Sequence, residues 1–187
     1  MLPENDYQII RLTPRFYSDY PNPPFIELEQ KENRQYTCLL FQTHYDFFIC
    51  IPFRSNIKHK YAFHFTHSVR SRKCKSGLDF TKIVIVSNTE YLDNKQAYVD
   101  KDEFLEMQRN FPRIKQQALS YVEDYIHHLN HSLQMHPQEF KRKYMFSSLP
   151  YFHPQLGLTS PSSPKSHPLS HPDGSGKVCK SAQTVPN

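Results

Sequence analysis

Apolar residues recur at strand-like spacing through the first half of the chain and at helical spacing through the second. Residues 7–12 (YQIIRL) predict a short strand. Thr13 and Pro14 mark a helix start, Thr as N-cap and Pro at the first helical position, for a brief helix to Tyr20. Pro21, Pro23 and Pro24 end it. YTCLLFQ (36–42) and DFFICIPF (46–53) flank the loop THY and predict a hairpin. Both arms are apolar on both faces, which places them centrally in a sheet. A hairpin symmetric about His44 sets Cys38 opposite Cys50. AFHFT (62–66) alternates apolar with polar and predicts a third strand, and TKIVIVS (81–87) predicts a fourth.

The period then lengthens. Asp100 followed by Glu103 has the spacing of a capping box and starts a helix over 101–110, which Pro112 breaks or restarts. From Arg113 to Leu133, Ile114, Ala118, Val122, Tyr125, Ile126, Leu129 and Leu133 form one helical stripe. A short helix follows Pro137, and YMFSSLPYFHPQLGL (144–158) predicts a last strand and a closing turn. Beyond Leu158 the chain is Ser- and Pro-rich with few apolar residues, too few to offset the entropy of ordering. The expected organisation is one α+β domain over residues 1–158 and a disordered tail over 159–187. The domain is a compact, strongly twisted, mostly antiparallel sheet or barrel with helices laid around it.

Composition adds that the core is aromatic: 14 Phe and 12 Tyr, with no Trp. The net charge is +5, which favours polyanionic partners such as RNA, DNA or an acidic membrane surface. No apolar run approaches the ~20 residues that span a bilayer. The N-terminal sequence lacks the basic-then-apolar order of a signal peptide, so a cytoplasmic location is expected. The four cysteines form no paired metal knuckle and no dense disulfide framework, so neither a metal site nor a cofactor is expected.

The charge is concentrated. Residues 51–82 hold eight Lys or Arg (Arg54, Lys58, Lys60, Arg70, Arg72, Lys73, Lys75, Lys82) against one acid, Asp79. They are expected in loops flanking strands, where they converge on one groove. They are interleaved with Tyr61, Phe63 and Phe65, rings that stack on bases or fill the core. Asp79 reads either as a turn carboxylate capping local amides or as part of the site. Within IPFRSNIKHKYAF (51–63), cations surround one hydroxyl, Ser55, and one imidazole, His59. That equipment suits a metal-independent ribonuclease. RNA carries its own nucleophile, the ribose 2′-hydroxyl, so the enzyme moves protons and stabilises a phosphorane. Imidazole exchanges protons near neutral pH, and Arg54, Lys58 and Lys60 stabilise charge on the non-bridging oxygens. Ser55 binds a phosphate oxygen or relays a proton; no Gly-x-Ser-x-Gly setting surrounds it. A binding groove that does not cut remains the alternative.

IPFRSNIKHKYAF, SGLDFTKIVIV and FSSLPYFHPQLGL, in that order, resemble the toxins of type III toxin–antitoxin systems, the TenpN group in particular, related to ToxN and AbiQ. The resemblance spans roughly residues 7–158. It implies a Kid/MazF-like fold and a sequence-selective endoribonuclease that cuts RNA without metal, leaving 2′,3′-cyclic phosphate and 5′-hydroxyl ends. It further implies inhibition by a small structured RNA made as tandem repeats, cyclic toxin–RNA assemblies, and roles in plasmid maintenance and abortive phage defence. The resemblance places the family's essential Ser on Ser55 and its following cations on Lys58 and on His59 or Lys60. Where the family pattern has Lys two places after that Ser, this chain has Ile57, so the catalytic cation is Arg54 or Lys58. Lys60, Arg70, Arg72, Lys73, Lys75 and Lys82 are the expected RNA-binding residues.

Overall fold

The computed structural model describes residues 6–28, 37–93, 95 and 97–158, and the fold is α+β. The Ser/Pro-rich segment 159–187 lies outside the described residues. Six strands form one antiparallel sheet: β1 (Gln8–Arg11), β2 (Thr37–Gln42), β3 (Phe48–Arg54), β4 (Ala62–His64), β5 (Gly77–Asp79) and β6 (Val84–Val86). Their order is β1-β2-β3-β5-β4, with β6 also paired to β3. The sheet is open, ending at β1 and β4, so the barrel alternative does not hold. β3 is central, with Ile49, Cys50 and Ile51 fully buried, as an arm apolar on both faces requires.

The β2–β3 register differs from the symmetric expectation: Cys50 faces Leu40, and Cys38 faces Pro52. The Thr43 hydroxyl causes the shift. It donates to the Phe47 carbonyl at 2.7 Å and accepts from the Tyr45 amide at 3.1 Å, closing a loop centred on Tyr45 rather than His44. The Cys38 and Cys50 thiols are buried, and burial pushes both well above the usual thiol range.

β3 changes partner along its length. Phe48–Cys50 pair with β6, whereas Phe53 and Arg54 pair with β5. Between β5 and β6 the chain makes a 3₁₀ turn, Phe80–Lys82, so the strand expected over 81–87 is shorter, and β5 precedes it. Asp79 causes the break: its carboxylate accepts from the Thr81 amide at 2.9 Å and caps the turn. Gly77 permits the close approach of β4, because a Cβ there would overlap the carbonyl oxygen of Phe63. β4 is also shorter than expected, since the Glu106 carboxylate takes the amides of Thr66 and His67 at 2.9 and 3.0 Å.

The helices are α1 (Pro14–Asp19), α2 (Val69–Cys74), α3 (Lys101–Leu129) and α4 (Pro137–Tyr144). α1 and α4 start at the prolines that predict them. α3 is one helix of 29 residues that runs through Pro112, against the expected break. Its buried stripe, Met107, Phe111, Ile114, Ala118, Tyr121, Val122 and Tyr125, crosses the proline without a change of phase, so packing outweighs the lost hydrogen bond. The Asn110 side chain also donates to the Glu106 carbonyl at 2.8 Å, just ahead of the proline. The stripe stops at Leu129; Leu133 lies past the helix end and is exposed. α2 occupies a segment expected as loop, started by Ser68, whose hydroxyl accepts from the Ser71 amide at 2.8 Å. Residues 144–158 form no strand; a 3₁₀ turn, Leu149–Phe152, buries Leu149 and Phe152 against the sheet instead. No helix among the described residues is long and apolar enough to cross a membrane.

Candidate functional site

The site forms where β3 ends and its neighbour switches from β6 to β5. Arg54 is the last residue of β3 and lies opposite Gly77, so its side chain shares a sheet face with Asp79, two positions along β5. One guanidinium nitrogen reaches Asp79 Oδ2 at 2.7 Å. The Asp79 side chain is fully buried. Its Oδ1 accepts from the Thr81 hydroxyl at 2.7 Å and faces His59 Nε2 at 3.4 Å, while the Thr81 hydroxyl lies 3.5 Å from the same nitrogen. Burial alone would raise the Asp79 pKa. Hydrogen bonds from His59 and Thr81 and the Arg54 charge win, and hold the carboxyl at about 2. Asp79 thus caps the turn, as its sequence context allowed, and also holds Arg54 and His59.

His59 is held on both sides. Its carbonyl lies 2.9 Å from His64 Nε2, and its imidazole Nε2 faces Asp79. The side chain is 37% exposed, but Nδ1 is buried and has no hydrogen-bond partner. With Nε2 directed at a carboxylate, Nδ1 is the nitrogen left to carry a lone pair.

Ser55 belongs to a second network, which begins one residue beyond Arg54. Asn56 in the left-handed region (φ 62°) turns the chain, and the Asn56 and Ile57 amides bond to the carbonyls of Cys74 and Lys75 at the end of α2. This buries Ile57, the position where the resembled family has Lys. It also brings Ser55 under Arg70 of α2. Arg70 Nε and one terminal nitrogen donate to Ser55 Oγ at 3.1 and 2.8 Å, and the other terminal nitrogen donates to Glu103 Oε2 at 3.1 Å. Glu103 is fully buried, and its other oxygen accepts from the hydroxyls of Ser68 and Ser76. The last residue of β3 and the first residue beyond it are therefore each tied to a buried carboxylate: Arg54 directly, Ser55 through Arg70. Because Arg70 fills the acceptor positions of the Ser55 oxygen, the hydroxyl proton is left to donate outward.

Lys58, Lys60, Arg72, Lys73 and Lys75 are all exposed on the loops and helix around this point. Lys60 lies over the Tyr61 ring at 5.5 Å, and Arg72 reaches back to the Ser68 carbonyl at 3.4 Å. Two of the sequence assignments change character. Arg70 faces inward as a clamp, whereas its helix neighbours Arg72 and Lys73 face solvent. Lys82 is 8% exposed and committed to Glu27 and the Phe146 carbonyl, so its ammonium is not available to a phosphate. Phe63 and Phe65 are core, leaving Tyr61 as the half-buried ring of the three. Thr81 and Glu103 are the site residues that the sequence reading lacked. Glu103 has the spacing of a capping-box partner, but Asp100 caps α3 alone, accepting from the Asp102 and Glu103 amides, and the Glu103 carboxylate turns to Arg70. No group of three or more His, Cys, Asp or Glu side chains suited to a metal ion occurs among the described residues. No family model, curated protein or solved structure matches the chain.

Proposed function

We propose that this chain is an endoribonuclease toxin of a type III toxin–antitoxin system, acting in the cytoplasm on cellular RNA and inhibited by direct binding of a small structured RNA. The observation that carries this reading is the Ser55 hydroxyl. It is backed by two guanidinium donors, has its proton free to donate, and sits among exposed cations. Such a group binds a non-bridging phosphate oxygen and is poorly suited to be a nucleophile. In the reaction the ribose 2′-oxygen forms a bond to phosphorus and the bond to the 5′-oxygen breaks, giving a 2′,3′-cyclic phosphate and a 5′-hydroxyl. One proton leaves the 2′-hydroxyl and one reaches the 5′-oxygen, so no water is consumed.

Ser55, clamped by Arg70, holds the phosphate, Arg54 and Lys58 supply charge, and His59 moves the proton through Nδ1. Asp79 orients His59 by holding Nε2. Lys60, Arg72, Lys73 and Lys75 track the backbone of substrate or antitoxin RNA. The six-stranded antiparallel sheet supports a Kid/MazF-like architecture at the level of fold class. Cyclic toxin–RNA assembly follows from the same resemblance. The covered Nδ1 of His59 favours a second reading, an RNA-binding module that does not cut, because substrate must displace the residues over that nitrogen before it can take a proton.

Incubating the purified chain with mixed RNA in EDTA separates the two. Discrete fragments with 2′,3′-cyclic and 5′-hydroxyl ends are expected. Intact RNA that nevertheless shifts on a gel would leave the binding module.

A further inference from the structure

Phe146 is 61% exposed, and Met145 and Ile26 beside it in the same corner are 48% and 50% exposed. The segment carrying the ring is braced rather than loose. Ser147 and Ser148, the next two residues, are buried, and the Ser148 amide donates to the Thr81 carbonyl at 2.9 Å. The buried Lys82 ammonium donates to the Phe146 carbonyl at 2.9 Å and pairs with Glu27, tying the turn at 26–27 to residue 146. A buried lysine thus holds the backbone of an outward-facing ring. Thr81, whose backbone anchors this segment, is the residue whose hydroxyl meets Asp79 and lies 3.5 Å from His59.

Among the described residues, the surrounding charge is positive. The last turn of α4, immediately before the ring, carries the exposed cations Lys141 and Arg142; Lys143 beside them is paired with Asp124. Among the described residues, the acids of this corner are Glu27, paired with Lys82, Asp124, paired with Lys143 at 2.7 Å, and Glu139 in the first turn of α4. A rigid aromatic face flanked by cations, beside a phosphate-handling site, matches the way single strands are held: charge follows the backbone while rings stack on bases.

The geometry points to Phe146 as a stacking platform for an unpaired nucleobase of the RNA strand that enters the Ser55–His59 site. This rests on the ribonuclease reading above and assigns Lys82 the task of presenting that platform.

The test uses the full chain and a fluorescein-labelled 2′-O-methyl oligoribonucleotide, which binds but lacks the attacking hydroxyl. Phe146→Ala weakens binding by about 5- to 150-fold, the effect of losing one base–aromatic stack. The slope of log K against log salt stays unchanged, because a ring releases no counterions. The chain has no Trp, so Phe146→Trp introduces one indole, whose fluorescence the bound strand quenches. Binding equal in wild type and Phe146→Ala, with no quenching, overturns the platform and leaves the RNA reading intact. Quenching that follows protein concentration rather than RNA overturns it in favour of a protein contact. Absence of RNA binding by the wild type overturns both.

Discussion

Replacing Asp79 by Asn removes the charge that anchors the site and keeps the shape of the side chain. One amide oxygen still caps the turn at Thr81, so the local fold survives. What is lost is the carboxylate charge that Arg54, 19% exposed, meets at 2.7 Å. Removing one member of a buried pair costs about 3–5 kcal/mol, and the partial exposure of Arg54 puts this pair at the lower end, about 3 kcal/mol at neutral pH. The pH dependence isolates the carboxylate. Its pKa falls from an ordinary 3.8 to about 2 in the folded chain, equivalent to about 2 kcal/mol. A lowered folded pKa stabilises above the unfolded value, so this contribution is complete above about pH 4 and is lost as pH falls toward about 2. Asn has no such proton. Urea unfolding of both proteins, followed from about pH 7 to about pH 2, therefore gives a stability gap that narrows from about 3 to about 1 kcal/mol. Every other carboxylate is common to the two proteins and cancels. A gap that stays constant down to about pH 2 refutes the assignment of the acid limb to Asp79.

Ser55→Ala leaves thermal stability within about 1 kcal/mol, because the freed Arg70 donors reach water, while RNA cleavage falls by about 100-fold or more; thermal melts and fragment analysis check the two halves. Arg70→Ala also abolishes cleavage but strands the buried Glu103 carboxylate, lowering stability by about 3 kcal/mol or more in a urea titration. Arg72→Ala with Lys73→Ala removes exposed cations only: the melting temperature holds, and the salt slope of single-strand binding falls by about 1.4 in a fluorescence titration. Gly77→Ala drives a methyl group into the Phe63 carbonyl between β4 and β5, and costs about 2 kcal/mol or more by the same unfolding assay.

The parts of the fold that local pattern can carry were legible. Both arms of the β2–β3 hairpin, the proline starts of α1 and α4, and the α3 stripe depend on neighbours a few residues apart. The register of the hairpin was not, because it turns on one threonine hydroxyl closing the loop at Phe47. α2 has no apolar period in VRSRKC, and the Ser68 cap is the one signal that marks it. The break between β5 and β6 was hidden for a different reason. IVIV reads as strand throughout, and the capping role of Asp79 gains weight only with Arg54, 25 residues earlier, beside it. Within the candidate site, Arg54, Ser55 and His59 stand together in sequence, within reach of a local reading. Glu103 meets Ser76, Arg70 and Ser68 across 27, 33 and 35 residues, so a rule about helix starts was the nearest reading available to it. Lys82 shows the limit of charge counting: it sits in the basic window, yet Glu27 lies 55 residues away and takes its ammonium inside the fold.

The central claim is that the end of β3 cuts RNA through a serine-held phosphate. Its most direct test sets wild type beside Ser55→Ala on one labelled RNA in EDTA, reading fragment ends and binding in the same samples. The account predicts discrete cuts with cyclic phosphate ends in the wild type, and none in a variant that still binds the RNA. Cleavage at equal rates in both would remove Ser55 from the site, and RNA left whole by a folded wild type would contradict the ribonuclease itself.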